Sequence, residues 1–350
     1  MLSLTFLLFG GLVAAAPAKK VWQPAAGTSW QIVLDEKCAA TTALAVDVQA
    51  YDLDLFDTDV ATINALHAKG KKVMCYFSAG SYEPYRPDSK QFKSDDMGSV
   101  MEGWEDEKWL KTNSANVRKI MAARIALAAT KGCDAIDPDN VDGYSNTNGI
   151  GLKQADAVNY VQWMSQQATS KGMSIGLKNA GDLVPKVMSS VHFSVNEQCH
   201  QYNECAKFQP FIKANKPVFN IEYPGSINTK AKVAGTNKYC NSASTKSAGF
   251  STILKNMDLD VNVNLCPASA NYSQSPAPSY GNAPQAASSQ APSSASAAPA
   301  SKPSATKAAP APAKTTTAAP KKKPAPTPTP HGDDDDEGDD DDGDDDDDDN

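Results

Sequence analysis

Between about Gln23 and Pro267 the chain alternates between short apolar runs and longer stretches whose apolar residues recur at helical spacing. The short runs are Trp30–Leu34, Ala45–Tyr51, Lys72–Phe77, Asp134–Ile136, Ser174–Leu177, His192–Val195, Pro217–Ile221 and Phe250–Leu254. Several are continuously apolar, as parallel strands covered on both faces are. Val60–Lys69 reads as a helix, with Ile63 and Leu66 on the Val60 stripe. Ser114–Lys131 reads as another, with Val117, Ile120, Met121, Ile125 and Leu127 inward and Arg118 and Arg124 outward. Gln154–Lys171 repeats the design with Val158, Val161 and Met164. These helices stop at Gly70, Gly132 and Gly172, each preceded by Lys and followed by a strand-like run. Glycine suits the left-handed residue that closes a helix. This is the rhythm of repeated βα units.

Eight candidate strands in about 245 residues predict an α/β fold, a single (β/α)8 TIM-type barrel spanning residues 19–267. A doubly wound open sheet is the alternative, but no glycine-rich phosphate loop follows the first strand. In a barrel, chemistry belongs at the C-terminal strand ends. Those ends are polar here: Tyr51-Asp52-Leu53-Asp54, Tyr76 through Glu83, Asp137-Pro138-Asp139-Asn140, Lys178-Asn179, Asn196-Glu197-Gln198, Glu222-Tyr223 and Lys255-Asn256. The densest is Asp134 through Asp142, with four aspartates in nine residues and Pro138 expected to stop the strand near Asp137. Taken alone, such a segment is a turn, because Asp and Asn favour turns. The recurrence of polar residues at one end of most strands points instead to a functional cleft.

Composition divides the rest. Residues 2–16 are apolar and end in small residues, as a secretory signal does, so residues 1–18 are expected to be removed. They are short for a membrane span. Residues 268–330 are rich in Pro, Ala, Ser and Thr with no acids, and are expected to be a disordered stalk. Residues 331–350 form a poly-Asp tail, with fourteen Asp and one Glu between 333 and 349. The chain carries a net charge of −8. Setting aside six stalk lysines and the fifteen tail acids leaves 27 basic and 26 acidic residues before Ala268. The domain is near neutral, so no nucleic-acid partner is expected. A hydrophobic C-terminal end is lacking, so no glycolipid anchor signal is read. Asn271-Tyr272-Ser273 is the N-glycosylation sequon.

Seven cysteines in a secreted chain imply disulfides, with at least one thiol outside intrachain pairs. Cys199 and Cys205 are near enough to close a small loop, and Cys240 with Cys266 would tie down the end of the domain. Cys75 and Cys133 lie in apolar runs and are expected to be buried thiols; Cys38 is the residue left over. With no Cys-x-x-Cys and four His, no metal site is expected.

Several carboxylates among Tyr51, Tyr76, Tyr82, Tyr144 and Tyr223, with amides and a lysine, suit sugar chemistry. Glycoside hydrolysis needs two carboxyl groups, and tyrosine gives sugar rings an apolar face with a hydroxyl. Here the motifs Tyr51-Asp-Leu-Asp54-Leu-Phe, Cys75-Tyr-Phe-Ser-Ala-Gly80-Ser, Arg86-Pro-Asp88, Asp137-Pro-Asp-Asn-Val-Asp-Gly-Tyr144, Gly176-Leu-Lys-Asn179 and Asn196-Glu-Gln-Cys199 together resemble glycoside hydrolase family 114 over about residues 21–267. The resemblance implies a secreted (β/α)8 endo-α-1,4-polygalactosaminidase. Its substrate would be a cationic amino-sugar polysaccharide such as fungal galactosaminogalactan.

Carried over, the catalytic acids are Asp139 and Glu197, with neither assigned as acid or base. Asp52, Asp54, Asp142 and Glu222 resemble substrate-contacting acids. Tyr76, Asp137, Asn140, Tyr144, Lys178, Asn179 and Tyr223 complete the expected binding set. Asp137 stands where some members have Glu and is expected to orient its motif. Arg86 is expected to order its loop. No cofactor is implied, and a monomer, secreted or cell-wall associated, is expected. The competing reading is a non-catalytic polysaccharide binder on the same barrel. The acidic tail is expected to hold the enzyme on its cationic polymer rather than to bind Ca²⁺.

Overall fold

The computed structural model describes residues 20–35, 37–227, 232–233, 238–240 and 247–267. The expected leader, the stalk with Asn271 and the acidic tail lie outside the described residues.

Eight strands run parallel in chain order: β1 (Trp30–Val33), β2 (Ala50–Asp54), β3 (Lys72–Ser78), β4 (Ala135–Asp139), β5 (Ser174–Lys178), β6 (Phe193–Glu197), β7 (Val218–Glu222) and β8 (Ser251–Leu254). The sheet curls so that its first and last strands meet. Trp30 Nε1 donates to the Ser251 carbonyl at 2.8 Å and Ser251 Oγ to the Thr28 carbonyl at 2.7 Å. Lys255 Nζ reaches Gln31 Oε1 at 3.3 Å, and Leu34 N donates to the Leu259 carbonyl at 3.0 Å. The fold is thus the expected TIM-like α/β barrel. Beyond β8, short strands at Asn264–Leu265 and Lys232–Val233 extend the sheet.

The barrel floor is aromatic. Trp30 lies 5.0 Å from Phe219, Phe219 lies 5.5 Å from Phe193, and Trp22 from the N-terminal segment closes on Phe193 at 6.4 Å. Gly176 makes room for that packing, since a Cβ there would sit 2.4 Å from the Phe193 ring.

Helices cover the outside: α1 (Ala40–Ala43), α2 (Val60–Ala68), α3 (Ala115–Lys131), α4 (Gln154–Thr169), α5 (Val184–Val187) and α6 (Gln209–Lys213). The three longer ones follow the apolar stripes. Asp59 caps α2 by accepting from Thr62 N at 2.7 Å, and Ser114 caps α3. Gly70, Gly132 and Gly172 all have positive φ, as helix stops require. Between β3 and α3 the chain makes a three-stranded antiparallel sheet at the barrel mouth: Ser81–Tyr82, Met97–Met101 and Trp104–Leu110.

Four expectations change. The second strand is Ala50–Asp54, not Ala45–Tyr51: Val46 and Val48 are buried, but in the turn before the strand, where Tyr51 Oη donates to the Val46 carbonyl. An apolar run reports burial, not extension. The fourth strand continues through Pro138 to Asp139, because its register pairs with β5 are at Ala135 and Ile136, before the proline. Arg124 is buried, not outward: it grips Asp88 through Nε at 2.9 Å and Nη2 at 2.8 Å, and donates to the Ser78 carbonyl at 2.7 Å. Finally, Cys75 and Cys133 are disulfide-bonded, tying β3 to the entry of β4. Cys199–Cys205 and Cys240–Cys266 are the other two disulfides, as expected, and Cys38 is buried outside them. No helix among the described residues is long and apolar enough to cross a membrane.

Candidate active site

Three consecutive strands end on a carboxylate, a lysine and a second carboxylate. β4 ends in Asp139, β5 in Lys178 and β6 in Glu197. In each case the following residue has positive φ: Asn140 at 60°, Asn179 at 47° and Gln198 at 60°. The chain thus turns away sharply once each of these side chains has been presented inward. Asn tolerates the left-handed region better than most residues, and Gln does not share that advantage. The Asn140 turn also needs Gly80, where a Cβ would come within 1.6 Å of the Asn140 carbonyl oxygen.

Lys178 joins the two acids. Its Nζ lies 3.0 Å from Asp139 Oδ2 and 3.1 Å from Glu197 Oε2, with all three side chains buried. Burial alone would discharge this lysine, but Asp139, Glu197 and Asp137 together hold its pKa well above the ordinary value. Asp139 is further fixed by Tyr76 Oη at 2.9 Å on Oδ2 and by the Asn140 N–H at 2.7 Å on Oδ1. On Glu197, Oε1 accepts from Tyr223 Oη and Oε2 from Asn179 Nδ2 at 3.4 Å. Asn179 Oδ1 in turn accepts the Glu197 N–H at 2.9 Å. Burial, then the adjacent carboxylate, pushes both tyrosines far up, so both remain donors.

These residues open on a cleft of about 460 Å³. Asp139, Asn140, Lys178, Glu197 and Tyr76 line it from the strand ends. Apart from Glu83, which the polar end of the third strand had included, the remaining walls escaped the sequence reading. Glu83, Met101, Trp104 and Glu107 come from the segment after β3, and Met257, Asp258 and Leu259 from the segment after β8. Trp104 Nε1 and Asp258 Oδ1 have no hydrogen-bond partner among the described residues. The strand-end rule locates a cleft's floor, whereas its walls come from loops whose path the pattern leaves open. A faint signal for the first wall was the alternation of Glu107, Trp109 and their neighbours.

The expected binding set divides. Tyr76, Asn140, Lys178, Asn179 and Tyr223 gather around the two acids. Asp142 is buried beside them, and burial followed by the Asp139 charge pushes its carboxyl up to about 6. Tyr144 sits in the turn after it, half-buried against the core. Four acids do not reach the cleft. Asp54 accepts from Arg86 Nη1 at 2.9 Å and from the N–H groups of Phe56 and Asp57. Arg86 also binds Glu83 through Nε at 2.6 Å, so it orders its loop as expected. Glu222 points away from Tyr223 and Glu197, accepting from the His200 N–H at 2.8 Å and Asn220 Nδ2 at 3.2 Å. Burial pushes it up to about 7. Alternation along β7 explains this: Tyr223 faces the barrel axis, so its neighbour Glu222 cannot. Asp52 and Asp137 have no exposed surface and lie below the cleft floor.

Cys199, His200 and Cys205 place potential metal-ligand atoms within 4.8 Å of one another. The disulfide consumes both thiols, so the set does not fit a metal as it stands.

Residues 12–271 match the model of glycoside-hydrolase family GH114. Among solved structures, Aspergillus fumigatus Ega3 in complex with galactosamine is 47% identical, with 73% of this chain and 100% of that chain covered and a TM-score of 0.64. The glycoside hydrolase domain of PelA from Pseudomonas aeruginosa is 11% identical, with 68% and 98% covered and a TM-score of 0.55, a likeness of fold alone. No curated protein sequence matches the chain.

Proposed function

The chain belongs to glycoside-hydrolase family GH114 and is a glycosidase; on that premise we propose that it is an endo-acting hydrolase of α-1,4-linked galactosamine polymer, with Asp139 and Glu197 as its two catalytic carboxylates. The observation that carries this reading is the pairing of both acids on one buried ammonium in an open cleft. Ega3, nearly half identical, is seen with galactosamine. Among the described residues the cleft lining favours a cationic sugar: Glu107, Asp139, Glu197 and Asp258 face it with one lining cation, Lys178, while Glu83 is paired with Arg86.

Asp139 is the more tightly held carboxylate, with three donors at 2.7 to 3.0 Å including a backbone N–H. We assign Asp139, the one of the two carboxylates that accepts a backbone N–H at its side chain, as the nucleophile and Glu197, held by side chains alone, as the acid. Glu197 gives its proton to the glycosidic oxygen as that bond to C1 breaks and an Asp139 oxygen bonds to C1. Glu197, now ionised, takes a proton from water, and the water oxygen displaces Asp139. One nitrogen in contact with both acids keeps their nearest oxygens closer than the roughly 6.5–9.5 Å that leaves room for an inverting water. The outcome is retention.

Secretion fits the same reading. The apolar N-terminal run has the form of a leader, and three disulfides belong to an oxidising compartment. Release of oligosaccharides from deacetylated galactosaminogalactan by the full chain tests the function. A full-length protein that binds this polymer and releases nothing from it would leave the binding-protein reading in its place.

A further inference from the structure

Asp52 and Asp137 are two buried acids that the mechanism above does not use and that no described side chain or backbone group pairs. Both are wholly buried, and none of their four side-chain oxygens accepts a hydrogen bond from any donor among the described residues. They sit on β2 and β4, either side of β3. Asp137 is level with Tyr76 and Asp54, and Asp52 is level with Met74, one inward-facing step lower. Their carboxyl groups face each other. Two ionised carboxylates cannot satisfy one another, and in a dry interior their repulsion is large. A single proton between them changes both facts. It gives one acid a donor, the other an acceptor, and the pair one negative charge.

We propose that Asp52 and Asp137 share one proton and that the resulting singly charged pair is a positioning element. It holds Lys178 from beneath and raises the proton affinity of the acid above. The proposal rests on the glycosidase reading for its kinetic part. Around the pair the charged and titratable neighbours are Lys178 from β5, Asp139 from β4 and Glu197 from β6. From β3, Tyr76 is committed to Asp139. From β2, Asp54 is committed to Arg86. Among the described residues Lys178 is therefore the one cation facing the pair. Burial and then the mutual charge push Asp52 well up, and burial leads in raising Asp137 to about 7, which agrees with one retained proton.

The sign of the effect follows. A negative charge on Asp137 repels the charge left on Glu197 when it gives up its proton, so loss of the Asp137 charge is expected to bring the alkaline limb of the reaction to lower pH. Asp137→Asn takes that charge off Asp137: its amide donates to Asp52, and the charge then lies one inward-facing step lower, farther from Glu197. Asp52→Leu removes the proton donor, so Asp137 must itself take a proton and become neutral. Asp52→Asn supplies an amide N–H in place of the acid proton and leaves Asp137 charged.

The experiment is the pH profile of kcat/KM on deacetylated galactosamine polymer for the full-length chain and these variants, with infrared spectra of each at pH 7. The alkaline limb is expected to move down by about one unit in Asp137→Asn and in Asp52→Leu, and to stay in place in Asp52→Asn. A protonated-carboxyl stretch present in wild type is expected to vanish in Asp52→Asn. An Asp52→Asn limb that moves like that of Asp137→Asn, or an unchanged infrared band, would overturn the proposal. If Asp52→Leu does not fold, the remaining two variants still decide it. If the wild type has no turnover, the glycosidase reading fails while the infrared band still tests the shared proton.

Discussion

Asp139 and Glu197 sit two strands apart yet accept from the same nitrogen, Lys178 Nζ, at 3.0 and 3.1 Å. This shared cation lets two acids lie close together in a buried place, and the account of the site depends on it.

Lys178→Met is expected to leave two carboxylates facing each other without their counter-ion. Breaking a buried ion pair from one side costs about 3–5 kcal/mol. Part of that should appear as a lower thermal midpoint. The rest should appear as a fall in kcat of about 100-fold or more, because the surviving acids take up protons and Asp139 ceases to be a nucleophile. Steady-state kinetics beside a melting curve measures both.

Retention is checked by proton NMR of the products in the first minutes of reaction. The α-anomer is expected to form first and then mutarotate. β-anomer as the first product would mean that the two carboxylates separate to admit a water when substrate binds.

Trp104 forms a cleft wall, with an indole N–H that lacks a partner among the described residues. An aromatic face suits a sugar ring. Trp104→Ala is expected to raise KM for the polymer about tenfold, corresponding to ~1.4 kcal/mol, with kcat nearly unchanged. Initial rates across polymer concentration measure it.

At the opposite end of the barrel, Asp134 accepts from Lys72 Nζ at 2.9 Å and from the Val73 N–H at 3.1 Å, and its Oδ2 lies 2.7 Å from His67 Nε2. Burial opposes its ionisation, but Lys72, Val73 and His67 hold its pKa below the ordinary value. A depressed carboxyl pKa gives stability that is full above the unfolded-state value, near 4, and is lost as pH falls through the folded-state value. Asp134→Asn is therefore expected to cost about 1–3 kcal/mol at pH 7 and progressively less in acid. Urea melts across pH measure this, and a cost that does not shrink in acid would count against the linkage.

Much of the barrel was legible because its signals are local. Each glycine stop closes its helix on its own, and a buried parallel strand declares itself by continuous apolarity. Asp139, Lys178 and Glu197 were legible as polar residues just past such runs, and the family motifs then singled out the two acids. What stayed hidden depends on partners distant in sequence. Arg124 reads as an outward charge until the segment carrying Asp88 folds over it. Cys75 and Cys133 read as packing thiols until β3 and β4 lie side by side. Asp52 and Glu222 lie at strand ends like Glu197, but depth decides against the first and facing against the second. Neither depth nor facing can be read from spacing at a strand's last turn.

The measurement that bears most directly on the account is oligosaccharide release from deacetylated galactosaminogalactan by wild type, Asp139→Asn and Glu197→Gln, with polymer binding followed in parallel. Wild type is expected to release product, and each variant to lose about a thousandfold or more in rate while binding is kept. Either variant turning over within about tenfold of wild type would contradict the assignment and return attention to Asp142, the buried acid beside them whose carboxyl is pushed up to about 6.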